Sequence, residues 1–294
     1  MNSEANRLPI AVTAGDEGYL PLLQSCVDSL VEARQSLAFQ IGVIDLGLSP
    51  ESRAAISAKA DFFVPASWPF ATRPDFAAGA FALASVAKAA LPDYFPGHPV
   101  YMWIDCDAFV QGPLGVSWFF NAALNGGTAM VQSIDRAYVM QADDHAWVRD
   151  RYAMAYPDDI ATKLASRPYI NSGVFAASAS SKLWSLFKQR YLDALSAWSG
   201  PRLSDQAILN YIAVIDRLPY HNLPSSCNWI CHLARPHLDQ VNKLFTEAAF
   251  PYRHLQIVHN THREKLILRP VKQFDGKVRK MRLTYHDLKS IEAL

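Results

Sequence analysis

Residues 100–112 read Val-Tyr-Met-Trp-Ile-Asp-Cys-Asp-Ala-Phe-Val-Gln-Gly, an apolar run that ends in two carboxylates. The β-branched and aromatic residues at its start predict a buried strand. Because successive side chains of a strand point to opposite faces, Asp105 and Asp107 are expected on the same face. Two hard oxygen ligands at a strand end suit Mg²⁺ or Mn²⁺ held between the protein and a diphosphate. Surface carboxylates are common, so this interpretation depends on the rest of the chain.

The residues before this strand alternate between strand and helix patterns. They predict strands over 8–14, 39–46 and 61–64, and helices over 20–37, from Ser49 onward and over 76–91, the last ended by Pro92. This alternation predicts an α/β fold with a mainly parallel sheet covered by helices. Ligands of such sheets bind beyond the carboxyl ends of the strands, where Asp16 and Asp105 are expected.

The second half of the chain is less regular. Its patterns predict helices over 116–124, 143–156, 181–197 and 204–215, strands over 127–133, 169–176 and 254–258, and a terminal helix. Residues 135–168 are interpreted as an insertion over the site, a lid or an acceptor loop. The chain has no internal repeat and no Gly/Ser linker. We therefore expect one domain over 1–260, with halves of about 8–112 and 113–260, and a C-terminal extension over 261–294.

Composition narrows the class of protein. Half of the 294 residues are hydrophobic and 19% are charged, which is typical of a packed enzyme and not of a disordered chain. The net charge of +1 gives no general attraction to nucleic acid, and aromatic residues for stacking are sparse in the basic C-terminal segment. That segment, from Arg263 to Lys289, has nine Lys and Arg residues against three acids. It is either a solvated face or a patch for phosphates or an anionic membrane.

The sequence also gives an expectation for the cellular compartment of the protein. The amino terminus lacks an apolar signal region, and no stretch approaches 18 uninterrupted apolar residues, so neither a signal peptide nor a membrane span is predicted. The four cysteines are too few and too scattered for a disulfide framework. We expect a cytoplasmic protein with reduced thiols, in peripheral contact with the inner membrane if the basic segment docks there.

Short segments spread over about residues 8–265 resemble, in their order, the GT-A-fold glycosyltransferases. The closest motif order is that of glycosyltransferase family 8, which includes bacterial lipopolysaccharide galactosyl- and glucosyltransferases and glycogenin. The matching segments are Ala14-Gly-Asp-Glu-Gly-Tyr19, Lys88, Asp105-Cys-Asp107, Asn171-Ser-Gly173, Ser204-Asp205-Gln206 and His259-Asn-Thr-His-Arg-Glu-Lys265. The resemblance implies a GT-A catalytic domain over residues 1–260, with a donor-binding half first and an acceptor-side half second.

The resemblance implies a metal site in which Asp105, Asp107 and His259 bind Mn²⁺ or Mg²⁺ against the donor diphosphate. A neutral imidazole is a suitable third ligand. The Asp-Gln pair, Asp205 and Gln206, is implied to lie near the anomeric carbon as the catalytic pair. Ser204 is also a natural N-cap for the helix that follows, and both roles can hold at once.

The same resemblance implies the contacts of the donor. Besides Asp105, the residues implied to bind it are Ala14, Asp16 and Tyr19 at the nucleotide, Lys88 and Lys265 at the diphosphate, and Asn171, Ser172 and Gly173 at the sugar. An asparagine amide offers a donor and an acceptor to sugar hydroxyls, and glycine lets the backbone approach a ligand closely. Each of these segments alone would also fit an ordinary turn, cap or solvated side chain.

The match is incomplete in places. Lys88 stands where the family more often has arginine. Lysine keeps the positive charge but lacks the bidentate guanidinium fork of arginine. His262 stands at a glycine position, and Leu266-Ile267 replace Pro-Trp. The stretch from Leu223 to Trp229 resembles a further family segment, so Asn228 or Trp229 is a candidate site residue, with burial in the core favoured for Trp229.

The implied activity is transfer of a hexose from a nucleotide-diphosphate sugar, UDP-glucose or UDP-galactose, to a glycan or lipid-linked acceptor with retention of anomeric configuration. One alternative is an inactive GT-A domain that serves as a binding or scaffold module. Another is a sugar-phosphate nucleotidyltransferase, which normally has a basic Gly-rich loop after the first strand. Here that turn is Ala-Gly-Asp-Glu-Gly, which is acidic.

Overall fold

A central β-sheet organises the protein. The computed structural model describes residues 8–71, 73, 79–124, 127–140, 142–197, 204–261 and 265–291. Within them the strands are β1 (Ile10–Gly15), β2 (Gln40–Asp45), β3 (Phe62–Pro65), β4 (Val100–Ile104), β5 (Ala108–Val110), β6 (Thr128–Met130), β7 (Val174–Ser178), β8 (His221–Asn222), β9 (Trp229–Ile230), β10 (His237–Asp239), β11 (Leu244–Thr246), β12 (Ile257–His259), β13 (Arg269–Lys272) and β14 (Val278–Met281). The helices are α1 (Leu20–Arg34), α2 (Pro50–Ser57), α3 (Ala80–Ala87), α4 (Leu91–Tyr94), α5 (Pro113–Leu124), α6 (Ala142–Ala153), α7 (Asp158–Ala165), α8 (Leu183–Ala197), α9 (Asp205–Val214) and α10 (Tyr285–Lys289).

The main sheet has the strand order β3-β2-β1-β4-β7-β6-β8 in the described residues. The strands from β3 to β4 are parallel, β7 is antiparallel to both β4 and β6, and β8 is parallel to β6. The prediction of a mainly parallel α/β sheet is therefore confirmed. Because β1 and β4 are parallel neighbours, the residues that follow them emerge at the same edge of the sheet.

Helices cover both faces of this sheet. Side chains alternate between two apolar clusters: Val12 and Tyr101 lie in one, and Ala11 and Met102 in the other. This alternation is what the two-residue period of a strand requires. It explains why the strands appear in the sequence as continuous apolar runs, since both faces are buried.

One predicted helix differs from the structure. Residues 76–78, at its predicted start, lie outside the described residues. The described part consists of α3, a 3-10 turn over Lys88–Ala90, and α4. The expectation that Pro92 ends the helix is wrong, because Pro92 lies in the first turn of α4, where a missing N–H has no consequence. The tight turn between the two helices carries Lys88.

The two carboxylates of the opening motif do not lie on one continuous strand. Asp105 and Asp107 occupy a turn between β4 and β5. Strand β5 leaves the main sheet and joins a smaller one, in which β12 is antiparallel to β5 and parallel to β9. The turn and this second sheet bring the carboxylates together.

The remaining helices and hairpins pack against the main sheet and the smaller sheet. Helices α6 and α7, within the predicted insertion 135–168, contribute Tyr152 and Leu164 to an apolar cluster with Ile230 of β9. Two hairpins, β10–β11 and β13–β14, were not predicted from the sequence. In the C-terminal segment Val271 and Leu288 are buried in a third cluster. The role of residues 135–168 as a lid stays a prediction.

Candidate active site

Two carboxylates and an imidazole converge at the carboxyl edge of β4. One ligand atom from each of Asp105, Asp107 and His259 lies within 4.8 Å of the others, and this is the cluster of metal-binding type found in the described residues. The His259 Nε2 atom lies 3.2 Å from Asp107 Oδ1 and 3.9 Å from Asp105 Oδ2. This donor set of two carboxylates and one imidazole suits a divalent cation such as Mn²⁺.

The small sheet sets the geometry of this cluster. His259 pairs with Ala108 across β12 and β5, and the Asn260 backbone N–H donates to the Asp107 carbonyl at 2.9 Å. His259 and Asp107 are 2% and 7% exposed, so water screens little of their interaction. Backbone hydrogen bonds thus fix the two segments that carry His259 and Asp107 relative to each other.

Gly173 leaves the space that the cluster occupies. A Cβ atom at this position would lie 2.1 Å from His259 Cε1 and 2.8 Å from Asp105 Oδ2. The Gly173 carbonyl also accepts a 2.7 Å hydrogen bond from the Asp105 N–H. A side chain here would displace the imidazole, so the residues present fit a compact metal site only with glycine.

A chain of amides links the imidazole to the predicted sugar-binding residues. His259 Nδ1 lies 2.8 Å from Asn228 Oδ1, which directs Nε2 toward the two carboxylates. The Asn228 amide donates to Asn171 Oδ1, and the Asn171 amide donates to Gln206 Oε1, each at 3.2 Å. Asn171 Oδ1 also accepts from the Gly173 N–H at 2.9 Å. Four polar residues from different elements are therefore oriented together.

Lys88 lies buried between two carboxylates. Its Nζ atom is 2.9 Å from Asp105 Oδ1 and 2.6 Å from Asp205 Oδ2, and it donates to the Ser172 carbonyl at 3.2 Å. Burial opposes the charge of Lys88, yet the two carboxylates outweigh it and raise the pKa of Lys88. The Ser172 hydroxyl donates to the same Asp205 oxygen at 2.7 Å. Lys88 thereby links Asp105 of the Asp105–Asp107–His259 cluster to the amino end of α9.

Lys265 contacts the other side of the cluster. It forms an ion pair with Asp107, and its Nζ atom lies 5.4 Å from the centroid of the Tyr19 ring. Burial acts to raise the pKa of Asp107, but His259 and Lys265 outweigh it and hold that pKa well below its usual value. Burial likewise opposes the charge of Lys265, and Asp107 outweighs it to raise the pKa of Lys265. Asp107 is therefore an anion across the physiological range.

The segment after β1 contributes Tyr19 to this group. Asp16 Oδ1 accepts a hydrogen bond from the Tyr19 N–H at 3.1 Å and so caps a 3-10 turn over Glu17–Tyr19. Tyr19 is 42% exposed, which leaves a ring face open beside Lys265. Ala14 is a buried residue of β1 that pairs with Ile44. Asp16 therefore joins the site through Tyr19, and Ala14 lies earlier on the same strand-to-turn segment.

Two residues of the site were missed by sequence reasoning. The Trp103 indole donates to Asp105 Oδ1 at 2.6 Å, and its ring centroid lies 5.2 Å from Lys88 Nζ. Asn260 donates from its amide to the Lys265 carbonyl at 2.6 Å. Trp103 precedes Asp105 by two residues in the opening stretch, and Asn260 lies inside the motif that starts at His259, but the resemblance assigns no role to either. Trp229 is fully buried, as expected of a core residue, and His262 lies outside the described residues.

Solved structures of glycosyltransferases superpose on most of this chain. The galactosyltransferase LgtC, solved with donor and acceptor sugar analogues, matches at a TM-score of 0.54 and 17% identity over 87% of this chain and 90% of its own. GlyE of Streptococcus pneumoniae TIGR4 matches at 0.53 and 18% over 88% of this chain and 56% of its own. Mouse xyloside xylosyltransferase 1 matches at 0.51 and 14% over 87% and 97%. The chain has the GT-A fold, as its motif order predicted.

Comparisons of sequence alone, unlike the comparison of structures, find no match. No protein-family model matches the chain, and no curated protein matches it significantly. The similarity is therefore carried by the fold and by a few short motifs. Among the described residues, no helix is both long and apolar enough to cross a lipid bilayer.

Proposed function

We propose that this protein is a metal-dependent glycosyltransferase that moves a hexose from a nucleotide-diphosphate sugar to a glycan or lipid-linked acceptor. The observation that carries the proposal is the Asp105–Asp107–His259 cluster at the carboxyl edge of a GT-A sheet, flanked by two lysines. UDP-glucose or UDP-galactose is the proposed donor and Mn²⁺ the proposed ion. The names of the similar structures, a galactosyltransferase and a xylosyltransferase among them, support the class.

The two lysines support different tasks at the leaving diphosphate. A bound divalent ion on Asp105, Asp107 and His259 would neutralise part of the charge that develops there. Lys265 is 21% exposed in its side chain and engages one carboxylate, so it can turn toward a phosphate oxygen. Lys88 is 5% exposed and engages two carboxylates, which suits it to hold Asp105 and Asp205 in place.

The sugar end of the donor is proposed to lie against Asn171, Ser172, Gly173 and the start of α9. In the transfer, the acceptor oxygen bonds to the anomeric carbon as the bond from that carbon to the diphosphate breaks, and the acceptor proton passes to a phosphate oxygen. Retention needs a carboxylate nucleophile on the far face or attack from the leaving-group face. Asp205 Oδ2 is held by Lys88 and Ser172. We therefore favour front-face attack, with Asp205 and Gln206 positioning the sugar.

The nucleotide is proposed to bind at the segment after β1. The half-exposed Tyr19 ring offers a stacking face, and Ala14 and Asp16 offer acceptors for the base. The turn carries Asp16 and Glu17 and no basic residue, which counts against a nucleotidyltransferase.

The test is calorimetric binding of UDP with and without Mn²⁺. We expect UDP to bind only with the metal, and the Asp105→Asn/Asp107→Asn double variant to lose at least tenfold in affinity. The matched control is Asp93→Asn/Asp158→Asn, which removes two exposed carboxylates of peripheral ion pairs and should bind as wild type. Screening UDP-sugars for slow hydrolysis then identifies the sugar.

The opposite outcome is equally informative. If UDP, GDP, CDP and dTDP all fail to bind with Mn²⁺ or Mg²⁺, the proposal is wrong, and the inactive scaffold becomes the better account of this fold. Binding of UDP that is unchanged in the double variant would remove the metal role of Asp105 and Asp107.

A further inference from the structure

A pocket outside the candidate active site lies where α7, the end of α9 and the chain before β7 meet. Its volume is about 350 Å³, and it is lined by the cations Lys163, Arg167 and Arg217. No carboxylate is among the described residues that line it. None of the three cations forms an ion pair within the described part of the chain, whereas the neighbouring Arg190 is paired with Asp216 at 2.6 Å. Three uncompensated positive charges around one cavity attract an anion.

Arg217, which lines the pocket, has an unusual backbone conformation. It follows the end of α9 with a φ of 55°, in the left-handed region that favours glycine. An arginine in this conformation costs conformational energy that glycine would avoid. We therefore expect the Arg217 side chain to have a function.

The pocket also contains a neutral hydrogen-bond donor, the Tyr220 hydroxyl, beside the three cations. The Gln132 amide donates to the Tyr220 hydroxyl at 2.7 Å, and Gln132 Oε1 accepts from Asn222 at 3.3 Å. Because the Tyr220 oxygen accepts from Gln132, its own proton is left to donate to a ligand. The remaining wall is apolar, formed by Pro168, Ile170 and Val214.

We propose that this pocket binds a sugar that carries a phosphate or carboxylate group. The cations and the tyrosine hydroxyl would hold the oxyanion, since arginine forms paired hydrogen bonds with both groups. The apolar wall would pack against the ring, and the volume is in the range of small-molecule sites.

The pocket is distinct from the proposed donor site, although the same two segments build both. Helix α9 begins at Asp205 and reaches the pocket at Val214, nine residues later, about 14 Å along its axis. Ile170 in the pocket wall is clamped to α9 by Asn210, with two 2.8 Å hydrogen bonds to its backbone. A ligand here is therefore either a distal unit of an acidic acceptor glycan or a free sugar phosphate. The acceptor-glycan source rests on the proposed transferase activity, whereas binding of a free sugar phosphate does not.

The first test is binding of glucose 6-phosphate to the full-length protein by calorimetry without metal or nucleotide. We expect saturable binding that weakens from 50 to 300 mM salt, with glucose unbound and inorganic phosphate weaker than glucose 6-phosphate. Lys163→Gln, Arg167→Gln and Arg217→Gly should each weaken binding about tenfold. Lys280→Gln, which removes an exposed cation of β14, should not.

Arg217→Gly separates binding from folding. Glycine accepts the left-handed backbone, so this variant should keep or raise the melting temperature while it loses affinity. If neither glucose 6-phosphate nor galacturonate nor its trimer binds, or if the probe that binds best binds the three variants as tightly as wild type, the proposal is overturned, and the cations serve only the helix ends. Equal binding of inorganic phosphate would also overturn it, since the sugar would then add nothing.

A second probe distinguishes the sources of the ligand. Trigalacturonate that binds at least tenfold more tightly than galacturonate supports an acidic glycan chain. Tighter binding of glucose 6-phosphate than of either supports a free sugar phosphate. The same three variants must weaken whichever probe binds best.

Discussion

Lys88 is 4% exposed, and its ammonium group lies between Asp105 and Asp205. Removing one member of a buried ion pair leaves the partner charge without compensation, which costs more than the pair contributed. Lys88→Met is therefore expected to lower the free energy of unfolding by about 3 kcal/mol, measured by urea denaturation. The control Lys188→Met breaks an exposed pair with Asp93 and should cost less than about 1 kcal/mol.

A double variant tests the cause. Lys88→Met/Asp205→Asn removes one orphaned carboxylate together with the ammonium, so it should regain part of the lost stability. If the double variant is as unstable as the sum of the two single ones, the charge argument fails and packing of the lysine stem is the better explanation.

Gly173 allows a second prediction at the scale of one residue. Gly173→Ala adds a methyl group that would overlap His259 Cε1, so the imidazole must move. We expect a loss of about 2 kcal/mol in stability and at least a tenfold loss in Mn²⁺-dependent UDP affinity. Gly79→Ala is the control, because no atom lies within 4 Å of the added carbon. Mn²⁺-dependent UDP affinity unchanged in Gly173→Ala would argue against His259 as a ligand.

At the scale of the element, two serine caps form a matched pair. Ser204 accepts from the Ala207 N–H at the start of α9, and Ser49 accepts from the Ser52 N–H at the start of α2, each at 3.2 Å. Ser204→Ala and Ser49→Ala should each cost about 1 kcal/mol in thermal or urea unfolding. Only Ser204→Ala should also slow hydrolysis of the donor, because α9 carries Asp205 and Gln206. Equal effects of the two variants on hydrolysis would remove the proposed role of α9.

Elements with a strong pattern were predicted well. The start of α1 at Leu20 and the N-cap of α2 at Ser49 match the sequence expectation, because apolar spacing and capping residues act locally. The hairpin β13–β14 was missed, since it is exposed on most positions and has little apolar alternation. Strand β9 has two residues, which is too short for any periodicity.

At the scale of the whole molecule, some basic residues of the C-terminal segment form ion pairs and others do not. Lys289 lies 2.6 Å from Glu32 of α1, and Lys265 pairs with Asp107, so these charges are compensated. On the hairpin, Lys272, Arg279 and Lys280 are exposed, and none forms an ion pair within the described residues. We therefore propose the hairpin as the surface for contact with an anionic membrane.

This expectation is tested by flotation with vesicles that contain phosphatidylserine. Replacing all three hairpin cations by glutamine should reduce binding more than tenfold, since each contributes about 1 kcal/mol near such a surface, and salt should weaken the wild type. The control replaces three surface cations elsewhere, Arg149, Lys182 and Lys188. Binding that ignores salt, or that falls equally in the control, contradicts a hairpin-directed contact.

The sequence by itself determined the α/β class, the GT-A fold and most of the residues that meet at the site. The α/β class follows from local patterns of apolar runs and caps, whereas the GT-A fold and the site residues follow from the order of short motifs, which resembles that of known glycosyltransferases. Only the tertiary structure decided that β5 leaves the main sheet, that Lys88 bridges Asp105 and Asp205, and that Asn228 connects His259 to Asn171. The contacts of Lys88 and Asn228 join residues 17 to 117 positions apart in the chain. These contacts form because whole helices and strands pack against one another. A local sequence pattern therefore does not predict them.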